Sequence, residues 1–488
     1  MYNRLNESPK AREYAQKALS GYQALGASSD EGQARFCLAD ALRVGSDADR
    51  EQARQHADDA IATYMALGDS YNLARAYNYA ATIAGLQTRR AESAALGEKA
   101  LESARAAGNL VLQPLVLMNL GVTYNALGNR ARAADYYRQS SSLYEALGNQ
   151  ARAAETEMNR GALLIEFGPD PGEGVREVRN ALAVMRKLGN KDFEALCLQM
   201  IGWYERNVGR AAEAERTVNQ GLAVAREHDL HDRAARLTIS LARVRLATGD
   251  YFVARQLLTE DLLTGVSKGI AVEAALLHAR AAVRLGDFDT ARRDLGRALP
   301  QLQGADETLG ALLETVTGEL EYESGHSEQA RSRFARAAAF WTDDVPDEAS
   351  VEARAYLGLL DAINGRWADG RRSVQASLDH SRKNGCLLLE ERCRSFLARI
   401  DVRQGRFQDA LETLRTIPDD SSQQTIGPEL RAQAQYWQMQ ALSGLGNHGG
   451  AESAERAARE SLEKLRSTLP AQYRTSFGDR PDIRRILG

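Results

Sequence analysis

Three asparagines recur at a regular interval in the first third of the sequence, and their side chains suit recognition of a polypeptide main chain. Asn78, Asn119 and Asn159 are 41 and 40 residues apart. An asparagine amide both donates and accepts hydrogen bonds, so it can pair with the N–H and the C=O of an extended peptide. The alternative is that each amide satisfies the backbone of a neighbouring helix or is solvated. The shared spacing favours peptide binding.

Residues about one helical turn from the asparagines are candidates for the side-chain pockets of such a site. They are Arg75, Met118, Val122, Asn125 and Glu155. We expect Trp203 and Arg206 to extend the groove into the next repeat, although Trp203 also suits a plain core position. The asparagine series stops there, because Met200 and Ser240 take the equivalent places. A peptide would therefore be held mainly by the N-terminal third.

A second cluster of charged residues lies toward the C-terminus. Its members occupy one predicted helix or the equivalent place one repeat earlier: Arg354, Glu390, Glu391, Arg392, Arg394, Arg399 and Arg403. Two interpretations stay open. The cluster is either a basic patch that binds an acidic segment or a solvated helix face with i,i+4 ion pairs.

Signals for catalysis are weak. His228 and His231 are close enough to share a metal with Asp229 or Asp232, but they lie at a turn between repeats, where Asp and His are natural helix caps. A zinc site would need further ligands, and no third histidine or cysteine is near. The phosphate-binding loop and the nucleophile-elbow motif are both absent. We therefore predict no enzyme activity, no metal site and no cofactor.

The asparagines take their register from an internal repeat of about forty residues. Glycine, usually followed by a polar or charged residue, recurs at Gly45, Gly128, Gly168, Gly209, Gly249, Gly286, Gly325, Gly365, Gly405 and Gly446, with Gln87 in place of one glycine. A second series falls between these positions, at Gly26, Gly68, Gly108, Gly148, Gly189, Asp229, Gly269 and Gly385. Two series in one period indicate two turns, and hence two helices, per repeat.

The segments between turns have the character of amphipathic helices. They are about 15–18 residues long, or about four turns, with apolar residues three and four apart. Glycine tolerates the left-handed conformation that ends a helix, and the next Asn or Asp can cap the following one. The predicted helix pairs are 29–66, 69–107, 110–147, 150–188, 191–228, 231–268, 270–303, 306–341, 347–384, 387–416 and 427–467.

The residues within the unit resemble the tetratricopeptide repeat (TPR). The clearest copy is Leu120-Gly121-x-x-Tyr124 in the first helix, followed by Ala133, Tyr137 and Ser140 in the second. The small residue lets two helices touch closely, and the large ones fill the gap between them. The resemblance covers about residues 8–468 and is to the long repeats of kinesin light chains, LGN-type adaptors and bacterial signalling proteins.

This resemblance implies a fold and a mode of binding. The fold is all-α: a right-handed α-solenoid of about eleven helix pairs, in which the first helix of each pair lines the concave wall. In kinesin-light-chain and LGN-type proteins an asparagine ladder at this place grips the main chain of an extended peptide, which is the role implied for Asn78, Asn119 and Asn159.

The predicted organisation has five parts. Residues 1–28 form a helix, 29–416 the solenoid, 417–428 a polar connection, 429–468 the last helix pair and 469–488 a tail. The first helix is either a cap or the remnant of a longer chain. The tail, with Phe477 and the Arg480-Pro481-Asp482 run, resembles the closing segment of TPR modules in bacterial Ser/Thr kinases and ATPase-type transcription activators.

Composition and charge limit the classes of partner that the sequence predicts. The chain has 488 residues, a net charge of −4 and 44% hydrophobic residues, without a basic block of the kind that neutralises phosphates. No apolar stretch reaches the roughly 18 residues of a membrane span, and the first residues do not resemble a secretory signal. We predict a cytoplasmic scaffold or sensor for a peptide or protein, without nucleic-acid or membrane partners. The alternative is a regulatory domain of a larger bacterial signalling protein.

Overall fold

A computed structural model describes residues 8–43, 45–168, 170–259, 265–302, 307–340, 347–415 and 427–488. Its regular structure over these ranges is helical and includes no β-strand, which confirms the all-α prediction. The α-helices are α1 (Ser8–Leu25), α2 (Ser28–Leu42), α3 (Asp47–Leu67), α4 (Ser70–Leu86), α5 (Arg90–Ala106), α6 (Gln113–Ala126), α7 (Arg130–Ala146), α8 (Gln150–Phe167), α9 (Pro171–Lys187), α10 (Lys191–Asn207), α11 (Ala211–Glu227), α12 (His231–Thr248), α13 (Tyr251–Leu257), α14 (Lys268–Leu285), α15 (Phe288–Ala298), α16 (Glu307–Glu323), α17 (Ser327–Ala338), α18 (Glu348–Ile363), α19 (Trp367–Lys383), α20 (Leu387–Arg403), α21 (Phe407–Leu414), α22 (Pro428–Gly444), α23 (His448–Thr468), α24 (Ala471–Asp479) and α25 (Pro481–Leu487).

Helix starts follow the capping chemistry expected from the sequence. The side chain of Asp69 accepts a hydrogen bond from the backbone N–H of Asn72 at 3.1 Å, which caps α4. Asn129 caps α7 and Asn190 caps α10 in the same way. Each cap satisfies a backbone donor that the first turn of a helix leaves without an intrahelical partner.

Left-handed residues end many of the helices, as the glycine series predicts. Two of these positions are not glycine. Asp229, with φ of 53°, stands in the second series as expected. In the first series the left-handed residue is Thr88, with φ of 61°, whereas the predicted stand-in Gln87 keeps a φ of −88°. The turn therefore extends one residue further than the spacing indicated.

Close contact within a pair depends on small residues in its first helix. A Cβ added at Gly121 in α6 would lie 2.5 Å from the Tyr137 ring of α7, and one at Gly318 in α16 would lie 2.6 Å from the Phe334 ring of α17. These distances are below van der Waals contact, so the aromatic ring takes the space that a side chain would need. The TPR-like Leu-Gly position has the packing role inferred from the sequence.

The chain divides into two compact units, Met1–Phe167 and Gly168–Gly488, here called the N-terminal unit and the C-terminal unit. In the N-terminal unit, α1 packs on α2, and Ala15, Leu19 and Leu38 share one core. A second core surrounds Leu120 and Tyr137. Consecutive helices bury their apolar faces against one another, which is how a solenoid is stabilised.

The C-terminal unit closes on itself. Its last pair, α22–α23, returns to the turn between α12 and α13, where Pro428 lies against Gly249 and Gly427 against the Ala247 carbonyl. The segment predicted as a tail forms α24 and α25, and Phe477 and its neighbours share one core with α13, α14, α22 and α23. The first helices of successive pairs thus surround a common interior in this unit.

Several sequence-based expectations fall on residues outside the described ranges. They are positions 1–7 of the first helix, most of the 417–428 connection, and the ends of predicted pairs at 303, 306, 341 and 416. Among the described helices, none combines the length with the apolar composition that a bilayer crossing requires.

Substitution of Gly370 by alanine tests the helix contact in the ninth pair. The new Cβ would lie 2.3 Å from the Gly358 carbonyl oxygen and 2.6 Å from the Ala362 nitrogen, both of them backbone atoms. We expect a loss of about 1–3 kcal/mol in unfolding free energy, measured by urea denaturation, because overpacking forces the backbone to shift.

Gly296→Ala in α15 is the matched control, since nothing lies within 4 Å of its new Cβ. It should stabilise the protein by about 0.5–1 kcal/mol, because alanine costs less entropy than glycine in a helix. A Gly370→Ala protein as stable as the control would contradict the packing role.

Candidate functional site

The structure brings the first two asparagines of the predicted ladder into contact. Asn78 lies in α4, Asn119 in α6 and Asn159 in α8, the first helices of the second, third and fourth pairs. Asn119 Nδ2 donates to Asn78 Oδ1 at 3.0 Å. Asn78 is only 7% exposed, whereas Asn119 and Asn159 are half-buried. The spacing therefore places at least two amides at one level of neighbouring helices.

Part of the hydrogen-bonding capacity of the ladder stays open. Asn78 Nδ2, Asn119 Oδ1 and the whole amide of Asn159 make no hydrogen bond within the described ranges. None of these atoms is among the buried polar atoms that lack a partner, so each reaches solvent. Donors and acceptors thus remain side by side, which is the pattern that a peptide main chain can pair with.

Arg75 has contacts of its own within the N-terminal unit. Its Nη1 donates to Gln33 Oε1 at 3.1 Å and to Asn72 Oδ1 at 3.0 Å. Its guanidinium carbon lies 4.8 Å from the centre of the Phe36 ring. These contacts fix the side chain between the first helices of two successive pairs, so Arg75 acts as a preordered part of the surface.

The other predicted pocket residues of the N-terminal unit differ in exposure. Val122, one turn after Asn119, is 51% exposed, and Asn125 is half-buried. Met118 is buried and belongs to the core around Leu120. Glu155 pairs with Arg152 at 2.7 Å on the same helix. Val122 and Asn125 are therefore the accessible members of this group.

Trp203 and Arg206 lie on α10 in the C-terminal unit. Trp203 is half-buried, which leaves its core and surface interpretations open. Arg206 is buried, and its guanidinium donates to Asn207 Oδ1 and, at 2.7 Å, to Glu348 Oε2 of α18. Arg206 is thus part of an ion pair that crosses the interior of this unit between residues 142 positions apart.

The interior of the C-terminal unit contains a buried ion network that the sequence analysis missed. Arg480, between α24 and α25, is fully buried. Its Nη2 lies 2.7 Å from both Glu323 Oε1 and Glu429 Oε1, and its Nη1 donates to Glu429 Oε2 and to the Arg284 carbonyl, both at 2.9 Å. Such a charge is tolerated because both Nη atoms are paired, two carboxylates and a carbonyl being their acceptors, although Nε has no partner in the described ranges.

The network continues along the first helices of successive pairs. Arg280 donates to both carboxylate oxygens of Glu319, at 2.9 and 2.7 Å. Arg284 reaches Glu319 at 2.8 Å. Glu352 links Arg280 with Arg392. Arg280 and Arg284 are thereby paired with carboxylates from following repeats, and Arg392 with a carboxylate from the preceding one.

Burial and pairing act in opposite directions on these carboxyls. Burial alone would raise the pKa of Glu429, but Arg480 and Arg284 hold that pKa at about 2. For Glu323 burial prevails and raises the pKa, because Glu429 is a neighbouring negative charge and Glu323 Oε2 has no partner. The two carboxyls that share Arg480 are thus unequal, and Glu429 is the more firmly ionised.

A cavity of about 120 Å³ opens in this interior, beside the network. Five arginines line it: Arg206, Arg243, Arg280, Arg284 and Arg392. Glu348, Glu352 and Glu429 are its carboxylates, and Tyr251 and Tyr356 add hydroxyl groups. The first helices α10, α12, α14, α18, α20 and α22 contribute most of this lining.

The predicted arginine cluster on α20 proves to be largely internal. Arg392, Arg394 and Arg399 have at most a quarter of their side chains exposed and pair with Glu352, Glu391 and Asp482. Only Arg403 is exposed. Neither a basic patch nor a solvated face describes most of this helix, because its neighbours in the C-terminal unit surround it.

A sequence signal for the network did exist. Arg280 and Arg284 precede Glu319 and Glu323 by 39 residues each, which is one repeat. Opposite charges at equivalent places of successive first helices predict a contact, as the asparagine spacing did. Arg480 lies outside the repeat and gave no such signal.

Comparison with known proteins gave likenesses in structure alone. No protein-family model matches the chain, and no curated protein matches it. BtubC (BKLC) from P. vanneervenii aligns with a TM-score of 0.41 and 17% identity over 46% of this chain and 92% of its own. The APC/C hetero-tetramer Cut9-Hcn1 gives 0.47 and 13% over 98% and 95%. The human IFIT1 dimer with m7Gppp-AAAA gives 0.44 and 13% over 88% and 90%. At this level of similarity none of the three assigns a function or partner.

Candidate metal ligands are scattered over the described ranges, where no group of three or more His, Cys, Asp and Glu is placed to hold an ion. His228 occupies the C-cap position of α11, and His231 is the first residue of α12, whose N-cap residue is Leu230 without a side-chain cap. Both histidines therefore lie at the turn between two helices, as expected from the sequence.

Arg480→Ala should destabilise the protein by about 3–5 kcal/mol, because it leaves Glu323 and Glu429 buried without their shared cation. Chemical denaturation followed by circular dichroism measures the loss. Arg484→Ala is the control one turn further along, on α25, since Arg484 is exposed. It should change stability by less than about 0.5 kcal/mol. Equal effects of both substitutions would contradict the network.

Glu391 provides a pH test. Burial raises the pKa of Glu391 from 4.5 to about 7 despite its pairing with Arg394. A raised pKa in the folded state means that folding favours the protonated form. As the pH rises from the unfolded-state pKa to the folded-state pKa of Glu391, the free energy of unfolding should therefore fall by up to about 1.4 kcal/mol per pH unit.

Glu391→Gln removes this titration. The variant should match the wild type near pH 5 and exceed its stability near about pH 8, as measured by denaturation across that range. Glu412→Gln, at an exposed position, is the control and should follow the wild-type profile. A constant difference between Glu391→Gln and the wild type at every pH would overturn the assignment.

Proposed function

We propose that the protein is a peptide-binding interaction module, and that an extended peptide lies along α4, α6 and α8 of the N-terminal unit. The observation that carries this proposal is the set of open, solvent-accessible amide atoms on Asn78 and Asn119, which contact each other, and on Asn159 one repeat further along the chain. Helix backbones satisfy their own hydrogen bonds, so a side-chain ladder is the means by which a helical surface can pair with a peptide main chain.

The bound peptide would gain side-chain contacts next to the ladder. Val122 offers exposed apolar surface one turn from Asn119, and Asn125 offers a further amide. Arg75 is held in place by Gln33, Asn72 and Phe36, so it would lose little conformational freedom on binding. We infer a partner segment with an apolar residue over Val122, in an extended conformation.

The contacts inside the C-terminal unit also favour the N-terminal unit as the place where the peptide binds. Much of its interior is occupied by its own ion pairs, including those of Arg480. Buried and paired charges resist displacement by a peptide, because either partner left alone is strongly unfavourable. We therefore place the peptide on the N-terminal unit and propose binding, in the cytoplasm, rather than catalysis.

The alternative role, as the regulatory domain of a larger bacterial signalling protein with long TPR-type repeats, also has an observation in its favour. The polar cavity of the C-terminal unit is suited to a small molecule rather than to a peptide. An effector site beside a peptide site would suit a sensor, and the two proposals are compatible.

Asn159→Ala in the full chain disturbs the protein least, since that amide has no hydrogen-bond partner in the described ranges to lose. Against a peptide selected from an unbiased display library, we expect the Kd to rise about tenfold, because one or two hydrogen bonds of about 1 kcal/mol each disappear. Isothermal titration calorimetry measures the affinity. Combination with Asn119→Ala should weaken binding further.

Two controls distinguish the ladder from a general surface effect. Asn180→Ala changes an exposed asparagine on a second helix, α9, and should leave the affinity unaltered. The same peptide with N-methylated backbone positions should bind less well, since it lacks main-chain donors. A peptide that binds the wild type and the Asn119/Asn159 double variant with equal Kd would contradict the proposal.

A further inference from the structure

The cavity of the C-terminal unit has more hydrogen-bond donors than acceptors. Both oxygens of Glu352 are taken, one by Arg280 and one by Arg392. Both oxygens of Glu429 are taken as well, by Arg480 and its neighbours Arg284 and Tyr251. Of the three lining carboxylates, only Glu348 keeps an oxygen, Oε1, without a hydrogen bond in the described ranges.

The lining guanidiniums, in contrast, retain free N–H groups. Within the described ranges, Arg206 Nη1, Arg243 Nη1, Arg280 Nη1 and Arg392 Nη2 donate to no protein acceptor. None of these nitrogens is a solvent-inaccessible atom without a partner, so each is accessible to solvent. Four arginines on the first helices of four different pairs therefore present donors to one small space.

The electrostatic environment agrees with the donor count. Burial by itself would raise the pKa of Glu348, but the nearby Arg206, Arg243 and Arg280 lower that pKa to about 2. The lining carries five arginines and three glutamates, a difference of two positive charges. Glu273 and Glu319 pair with lining arginines without lining the cavity themselves. The arginines thus outnumber the carboxylates among the residues that line the cavity.

We propose that this cavity binds a small, doubly charged oxyanion, either a phosphate group or a short dicarboxylate, through the guanidiniums of Arg206, Arg243, Arg280 and Arg392. Planar guanidinium forks match the oxygens of both anions and form charge-assisted hydrogen bonds with them. The cavity volume of about 120 Å³ accommodates a molecule of this size, and not a peptide. The site is separate from the asparagine ladder, so either proposal can fail without the other.

The ligand would act as a bridge across the interior. Arg206 belongs to α10, Arg243 to α12, Arg280 to α14 and Arg392 to α20, and one anion held by all four would tie these helices together. Anything that binds the folded state alone stabilises it by mass action. Occupancy of the cavity should therefore raise the unfolding temperature in a saturable manner.

Titration of the full-length protein with inorganic phosphate and, separately, with succinate tests the proposal by isothermal calorimetry and thermal unfolding. Sodium chloride at matched ionic strength and neutral succinamide are the ligand controls, because anions also stabilise proteins non-specifically. We expect saturable one-to-one binding of at least one of the two anions, and the stronger of them identifies the ligand class. No saturable binding of either at about 10 mM, where even a weak site would fill, would overturn the proposal.

Arg243→Gln is the primary variant, since Arg243 is half-buried and its only ion pair in the described ranges is with Glu273. We expect at least a tenfold loss of anion affinity. Arg245→Gln is the matched control on the same helix, with similar exposure and with ion pairs to Glu215 and Asp250 away from the cavity lining. It should bind within about twofold of wild type, and equal losses in both variants would refute the site.

Gln433→Glu keeps the test decisive if Arg243→Gln fails to fold. Gln433 lines the cavity and is half-buried, and glutamate has the same shape with a negative charge. This variant places a carboxylate among the free N–H groups, so it should fold and should lose anion binding. Unchanged binding of phosphate or succinate to Gln433→Glu would show that the anion sits elsewhere.

Discussion

The burial of Arg480 between Glu323 and Glu429 is the interaction on which the C-terminal unit depends. A guanidinium without solvent contact requires acceptors from the protein, and those of the two Arg480 Nη atoms come from α16, from α22 and from the Arg284 carbonyl of α14. The last helix pair is thereby held against the seventh and eighth pairs, which are far away in the sequence. The apolar contacts of Phe477 and Ile483 surround the same point, so ionic and apolar burial occur together. A buried ion pair of this kind contributes more to the choice of which helices meet than to net stability.

This closure explains why the two units offer different surfaces from the same repeat. In the C-terminal unit the first helices face a shared interior, where charges pair across repeats beside a small polar cavity. In the N-terminal unit the equivalent positions carry asparagines, which are uncharged and keep part of their hydrogen-bonding capacity toward solvent. Neutral amides can stay half-exposed without a partner, whereas charges in the interior must be matched. The proposed peptide site and the proposed anion site follow from that difference.

Much of the fold was predictable because its determinants are local. Helix lengths, caps and turns depend on residues a few positions apart, such as Asp69 with Asn72, and the repeat multiplies each signal. The left-handed residue of one turn is Thr88 rather than the predicted Gln87, so the sequence located the turn to within about one position. Contacts between equivalent places of successive repeats were also within reach. The common level of Asn78 and Asn119 was predicted, although the hydrogen bond between them was not. The Arg280–Glu319 pair obeys the same spacing rule, but it was not predicted.

The sequence by itself determined the helical class, the two-helix repeat of about forty residues and the register that aligns the asparagines. Only the tertiary structure decided which of the charged residues are internal. The arginines of α20 have the composition of a solvated face, yet most are buried, because the C-terminal unit returns on itself and covers them. Arg480 meets Glu323 across 157 residues, and Arg206 meets Glu348 across 142. No local pattern encodes such a meeting, since it results from the small rotation between neighbouring pairs, summed over the whole unit.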